Sequence, residues 1–346
     1  MAMLKARTEF ASALNQICAE HGIELEVVID SIKEALLAAY RRDFSIDEKI
    51  KYEAEVNSQT GESRIFSWST GKKKAKKDIT PPGFGRIAAQ VAKQVLLQKI
   101  REAEKSAVLA EYSKRVGSLV NGMVLRFDGP NVIVDIGKAE GVMLPQEQTR
   151  AERYQINQRL TFLIKGIQEG PRGQQIIVSR ADNDLVKALF RREVPEVASR
   201  AVEIRQIARE PGNRSKVAVS SRQTGVDPVG SCVGQKGVRV QAVINELDGE
   251  KIDIIQYSDD PGKFIAAALS PAEKVEVDLD ETKKMAKVSL PEDQLSLAIG
   301  REGQNVRLAA KLTGFKIDIK GREEKKEEKK EEKKVKVSKR RKKTKK

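Results

Sequence analysis

Apolar side chains recur at intervals of three and four residues through the first forty residues and again from about 84 to 115. This spacing places them on one face of a helix, so it predicts two short helices separated at His21-Gly22 and one long helix. Between these helices, residues 49–57 and 64–69 alternate apolar and polar positions, which predicts a β-hairpin. The pattern therefore predicts an N-terminal domain that combines helices with a small sheet.

A different pattern begins at residue 117, where short apolar stretches alternate with glycine and proline breaks. Five successive short strands before a helix predict a small barrel of the OB type. Such barrels bind single-stranded nucleic acid by stacking bases on aromatic side chains, and Phe127, Tyr154 and Phe162 are the candidates. For Phe127 and Phe162 the alternative is that they fill the barrel core. The predicted strands are residues 119–127, 131–136, 139–144, 159–167 and 174–179.

The rest of the chain contains one structural unit twice. Its centre is a Gly-x-x-Gly turn, GQKG beginning at Gly234 and GREG beginning at Gly300, 66 residues later. Each turn follows a short apolar stretch and precedes an amphipathic one, and nearly identical strands close the two units at residues 251–254 and 316–319. A duplicated helix, turn, helix and strand is therefore predicted.

The residues before each turn complete the predicted units. The first copy is preceded by a helix at 185–194 and strands at 202–209 and 216–221, and the second by a helical cap from Pro271 and strands at 274–279 and 284–290. This order is that of the bacterial, type II KH domain. The link at 259–269 is short and apolar, so we expect the copies to pack as one rigid body with both turns on a shared surface.

A Gly-x-x-Gly turn can bind RNA for a simple physical reason. Glycine has no Cβ, so a nucleic-acid backbone can approach closely, and the helix that follows presents its unpaired N–H groups to a phosphate. KH domains bind about four nucleotides along such a loop. The predicted RNA-binding residues are Gly234, Gln235, Lys236, Gly237, Arg239, Gly300, Arg301, Glu302, Gly303, Arg307 and Phe127.

Composition narrows the class of protein. The formal net charge is +15, and the segment from Arg322 onward carries 15 Lys and Arg against 6 Glu. That tail is expected to be disordered and to add salt-sensitive affinity for phosphates. Residues 71–83 are expected to form a flexible basic connector. Cys18, Cys232 and His21 are too few and too far apart for a disulfide framework or a zinc site, so no metal or cofactor is expected.

Two further expectations concern the compartment and catalysis. The sequence shows no leader and no apolar run long enough to span a bilayer, and its cysteine usage is typical of the cytoplasm, so a soluble protein without membrane contact is expected. The carboxylates of the N-terminal region are scattered, as Glu24, Glu26 and Asp43 illustrate. A catalytic domain such as that of a phosphorolytic ribonuclease is therefore not expected, and the chain is interpreted as a non-enzyme.

Several motifs resemble one family. They are FGRIAAQVAKQ at 84–94, AREPG at 208–212, VDPVG at 226–230, CVGQKGVR at 232–239, and NEL with GEKIDII at 245–255. Together with the order of the domains, they resemble the bacterial NusA family of transcription termination and antitermination factors. The resemblance covers about residues 1–321.

The resemblance implies domains and partners. The N-terminal domain at 1–115 would bind core RNA polymerase, whereas an S1 domain at 116–182, KH1 at 183–270 and KH2 at 271–321 would bind nascent single-stranded RNA. A disordered tail at 322–346 would follow.

The implied activity is the modulation of pausing, intrinsic termination and antitermination by a monomer, with other antitermination factors as further partners. The alternative is a ribosome- or RNA-processing-associated protein built from the same S1 and KH modules, which only polymerase association would distinguish. The segment 71–82 looks shorter and richer in lysine than in the family, and the basic tail stands where some members carry acidic repeats.

Overall fold

The computed structural model describes residues 9–44, 50–69, 76–170, 173–280 and 282–322. The chain divides into two compact units, residues 1–114 and 115–346. The predicted basic tail lies outside the described residues except for Arg322, and so do the connector lysines at 72–74. The predicted class, a multidomain mixture of helices and sheets, is confirmed.

The first unit contains the predicted short helices, hairpin and long helix. The connector was expected to be irregular, but two of its residues add a third strand to the sheet, whose order is β1-β2-β3. The elements are α1 (Glu9–His21), α2 (Leu25–Asp43), β1 (Ile50–Val56), β2 (Ser63–Ser69), β3 (Lys77–Asp78) and α3 (Phe84–Ser113).

The core of the first unit follows from the periodicity of α2. Val28, Ile32 and Leu36 are spaced by four, so they share one helix face, and all three are buried. They pack in one cluster with Ala54 and Ile65 from the inner face of the sheet. An amphipathic helix that covers a small sheet is thus the basic structure of this unit.

The second unit begins with the predicted five-stranded barrel. Its strands follow the order β4-β5-β6-β8-β7, and β7 pairs with β4 to close it. Strands β6 and β8 pair in parallel, whereas the other neighbours are antiparallel. The strands are β4 (Leu119–Asp128), β5 (Asn131–Asp135), β6 (Glu140–Met143), β7 (Arg159–Gly170) and β8 (Gly173–Ser179).

The first KH domain follows in the predicted order, with one short additional helix, α5. Its three-stranded sheet has β10 in the centre, parallel to β11 and antiparallel to β9. The elements are α4 (Asn183–Glu193), α5 (Pro195–Ala198), β9 (Val202–Glu210), β10 (Arg214–Ser221), α6 (Pro228–Val233), α7 (Val238–Glu246) and β11 (Lys251–Gln256).

The second KH domain repeats this fold, but its first helix lies earlier than predicted. The expected helical cap from Pro271 is wrong, because the helix occupies the segment that was interpreted as a link. Phe264 and Ile265 of this helix are buried in the core of the second domain. The elements are α8 (Pro261–Ala268), β12 (Glu276–Asp280), β13 (Met285–Pro291), α9 (Glu292–Ile299), α10 (Gln304–Thr313) and β14 (Lys316–Arg322).

Strand β10 explains how the two KH domains are joined. Successive side chains of a strand point to opposite faces of the sheet. Val217 and Val219 pack with α4 and α7 on one face, whereas Ala218 between them packs in the core of the second KH domain. Because both faces of this sheet are covered, the two domains share a core, as the apolar link predicted.

Candidate nucleic-acid interface

The two Gly-x-x-Gly turns have nearly the same backbone. Gly234 has φ 74° and ψ 174°, and Gly300 has φ 73° and ψ 174°. The third residue of each turn is left-handed, with φ 51° at Lys236 and φ 53° at Glu302. The duplication seen in the sequence therefore extends to the conformation of the loops.

Glycine is required at the first position of each turn. The backbone of Gly300 lies in a region that essentially only glycine occupies. A Cβ there would lie 2.7 Å from the Cβ of Asn305 and 2.9 Å from its backbone nitrogen, and at Gly234 it would lie 2.7 Å from the Cγ of Arg239. Each turn therefore closes tightly onto the second residue of the helix that follows it.

These contacts also show which residues after the two loops are equivalent. Arg239 and Asn305 are equivalent, because each stands five residues after its glycine and each donates to the preceding helix. Arg239 Nη1 donates to the carbonyl of Ser231 at 2.7 Å, and Asn305 Nδ2 donates to that of Leu297 at 3.1 Å. Arg307, the basic residue predicted to act after the second loop, lies further along its helix.

The charges of the loops differ as well. At the left-handed position the first loop carries Lys236 and the second carries Glu302. Lys236 is exposed and has no ion-pair partner within the described ranges. In the second loop the Nε of Arg301 lies 3.7 Å from the carboxylate of Glu302, and both side chains are exposed. The first loop is cationic, whereas the second contains its own counter-charge.

The two predicted helix arginines are already engaged. Arg239 forms an ion pair with Glu196 of α5 at 2.9 Å. Arg307 donates its Nε to Glu210 at 2.6 Å, and Gln304 donates to the other oxygen of that carboxylate at 2.9 Å. The hydrogen bond from Arg307 lowers the pKa of Glu210. Neither arginine is a free cation in this structure, so a phosphate would have to displace or share a carboxylate.

The three aromatic candidates of the barrel differ clearly in how exposed their side chains are. Phe162 is fully buried, so the core alternative applies to it. Tyr154 is half-buried, and its hydroxyl accepts a hydrogen bond from the backbone N–H of Thr149 at 2.9 Å. Phe127 is 48% exposed near the end of β4. Of the three, Phe127 presents a ring for stacking.

Two exposed apolar residues that lie beside the loops were not identified from the sequence. Val238, directly after the first loop, is 67% exposed, and Leu297 before the second loop is 46% exposed. Each of the two Gly-x-x-Gly turns therefore has an exposed apolar side chain beside it. Aligning the two copies at their 66-residue offset would have paired Arg239 with Asn305, but the partners Glu196 and Glu210 are distant in sequence and carry no such signal.

The described residues also contain no cluster of three or more His, Cys, Asp or Glu that could hold a metal ion. None of the helices within the described ranges is long and apolar enough to cross a membrane. Cys18 and Cys232 are both free and buried.

Comparison with known families and proteins gives a consistent result. Family models for the NusA N-terminal domain match residues 9–78 and 71–106, that for the NusA-like first KH domain matches 180–257, and that for the second matches 261–327. The transcription termination/antitermination protein NusA of Halalkalibacterium halodurans is 42% identical, with 92% of this chain and 89% of that protein covered. The chain belongs to the NusA family.

Two other NusA proteins are similarly close. That of Bacillus subtilis is 41% identical over 90% of this chain and 91% of its own length, and that of Mycobacterium bovis is 45% identical over 90% and 92%. Both are transcription termination/antitermination proteins by name. The NusA family models thus identify the two Gly-x-x-Gly units as KH domains, which are RNA-binding modules.

Proposed function

We propose that this NusA-family chain binds nascent single-stranded RNA through its barrel and KH domains and core RNA polymerase through its N-terminal domain. By holding RNA and polymerase together it would modulate pausing, intrinsic termination and antitermination. We propose that it acts in the cytoplasm as a non-enzymatic monomer, without a cofactor, and that other antitermination factors join it. Membership in a family of transcription termination/antitermination proteins favours this function over a ribosomal or RNA-processing role.

One observation carries the RNA-binding part of the proposal. Two turns of the same backbone geometry stand at the N-termini of α7 and α10. The backbone amides of a helix N-terminus attract anions, and the glycines permit close approach of the RNA backbone. In the first loop, the exposed Lys236 adds a positive charge beside this position.

We propose domain limits that follow from this packing. The N-terminal domain would end near Lys114, the S1 domain would extend to about 182, and the first KH domain would run from there to about 260. The second KH domain would begin at Pro261, ten residues before the limit expected from the sequence, because α8 packs in its core.

The test is RNA binding by a variant in which Lys236 and Arg301 are both replaced by aspartate. Each carboxylate would stand beside a phosphate, so we expect affinity for unstructured RNA to fall between several-fold and about a hundredfold. Aspartate tolerates the left-handed conformation of position 236, so the fold should be retained. Titration of a labelled RNA measures the affinity, and circular dichroism checks the fold.

The matched control replaces two basic residues outside the loops, Lys187 and Lys263, by aspartate, because both are exposed lysines of the same KH region. This variant has the same change in net charge. Equal losses in the two variants would show that general charge, and not the loops, governs binding. Normal RNA binding by a folded loop variant would refute the loop assignment.

A further inference from the structure

Glu210 lies at an unusual place for a carboxylate. It is the last residue of β9 in the first KH domain, yet both of its oxygens are bound by side chains of α10 in the second. Its side chain is only 18% exposed. Gln304, one of the two donors, is the first residue of α10, directly after the second Gly-x-x-Gly turn.

Contacts within the first KH domain hold the backbone around Glu210 in place. Its carbonyl accepts a hydrogen bond from Asn213 at 3.0 Å, which closes the β9–β10 turn. The neighbouring Arg209 is buried and pairs with the buried Glu250 at 2.9 Å. The backbone at the end of β9 is therefore held in place, and the side chain of Glu210 extends from it to α10.

The two residues that bind Glu210 lie in the first turn of α10, after the second loop, where the proposed function places RNA. Arg307 Nη1 also approaches the carbonyl of Glu302 within that loop, at 3.4 Å. A guanidinium binds carboxylates and phosphates in the same geometry, so one excludes or weakens the other. The first loop differs, because the position equivalent to Arg307 is Gln241, which bonds to Asn245 of its own helix.

We propose that Glu210 is a built-in competitor of the RNA backbone at the second KH loop. Its carboxylate neutralises Arg307, just as Glu302 offsets Arg301, and this leaves the first loop with Lys236 as the main electrostatic contact. The two loops of the pair are then unequal: the first attracts phosphates, and the second accepts one only in exchange for an interdomain ion pair. This inference rests on the proposed function, since it assigns unequal parts to its two loops.

The experiment replaces Glu210 by glutamine in the full chain and measures the affinity for a labelled, unstructured RNA long enough to cover both loops. The amide has the same size but no charge, so Arg307 becomes available to a phosphate. We expect binding to tighten about three- to tenfold, because the RNA then accepts one more charge-assisted hydrogen bond. Binding should also become more salt-dependent, by about 0.7 in the slope of log K against log salt, as for one further phosphate on a single strand.

Glu203→Gln is the matched control. Glu203 lies near the other end of β9 and pairs with Arg222 at 2.6 Å, so the variant removes the same charge from the same strand but away from the second loop. We expect its affinity to stay within about twofold of the original, because the partners of Glu203 are Arg205 and Arg222 and not residues of α10. An equal increase in affinity in both variants would assign the effect to net charge and overturn the proposal.

Arg307→Gln supplies the second half of a double-mutant cycle. In that background, Glu210→Gln should no longer tighten binding, because the freed guanidinium is absent. Two results would overturn the proposal that Glu210 competes with RNA. One is that Glu210→Gln still tightens binding when Arg307 is absent; the other is that Glu210→Gln leaves the affinity of the folded chain unchanged.

Lys236→Asp, titrated alongside, separates the two proposals. If Lys236→Asp weakens RNA binding while Glu210→Gln has no effect, the proposed role of Glu210 is refuted and the proposed RNA-binding function is retained. If Lys236→Asp has no effect either, both fail.

Discussion

At the scale of single residues, buried charges mark the contacts between domains. Lys216 of β10 is fully buried, and its Nζ donates to the carbonyl of Ser270 at 3.0 Å, just before the second KH domain's first strand. The carboxylate of Asp253 on β11 lies 3.5 Å away and is shared with Arg214. The carbonyl and the one nearby carboxylate only partly offset the free-energy cost of removing this ammonium from water.

Lys216 should give the fold a measurable dependence on pH. Burial lowers its pKa to about 8, whereas an unfolded lysine titrates near 10.4. Between these values the unfolded chain binds more protons, so the free energy of unfolding should rise with pH there. In urea unfolding at pH 7 and pH 10, wild type should gain stability relative to Lys216→Met. A constant difference between the two would contradict the burial of a charged lysine.

At the scale of elements, periodicity predicted most helices and strands, and capping explains an exception. Helix α8 lies in the segment 259–269, which was interpreted as a short apolar link. In fact Asp260 caps this helix by accepting from the N–H of Gly262 at 2.9 Å, and proline is favoured in the first helical turn. The pairing of Arg307 with Glu210 was beyond the sequence, because 97 positions separate them and only tertiary packing brings them together.

The tight turn before α10 makes a prediction about two glycines of one loop. Gly300→Ala would place a Cβ within 2.9 Å of the backbone nitrogen of Asn305, in a backbone conformation that essentially only glycine adopts. We therefore expect the free energy of unfolding to fall by about 2–4 kcal/mol. Gly303→Ala is the control, because its Cβ would meet nothing nearer than Val306 at 4.0 Å and only the left-handed φ costs about 1 kcal/mol. If chemical denaturation gave the same decrease in the free energy of unfolding for both variants, the close contact at Gly300 would contribute little to the cost.

At the scale of the whole molecule, the chain consists of two compact units with separate cores. The sequence predicted this division from the change of hydrophobic period near residue 117. It also predicted, from the short apolar segment 259–269, that the two KH units pack together, and the cluster of buried residues from both domains agrees with this. The sequence could not show which face of the first KH sheet the second domain covers, because the alternation in β10 is apolar on both sides.

Division of labour between the units is testable with the segments 1–114 and 115–346. We expect immobilised core RNA polymerase to retain the first segment and the full chain, and unstructured RNA to be bound by the second segment. Each segment keeps its own core, so both should fold. Retention of only the second segment by RNA-free polymerase would contradict the assignment of the N-terminal domain.

The two-sided burial of β10 also bears on the length of RNA that the two proposed loops would bind. Because the two KH loops stand on one rigid support, the distance between them does not vary as it would across a flexible linker. Under the proposed function, an RNA segment bound at one loop would meet the other at a high effective concentration, provided that it is long enough to reach it. Shorter segments would gain no avidity, so the proposed pair of loops would favour unpaired RNA above a minimum length.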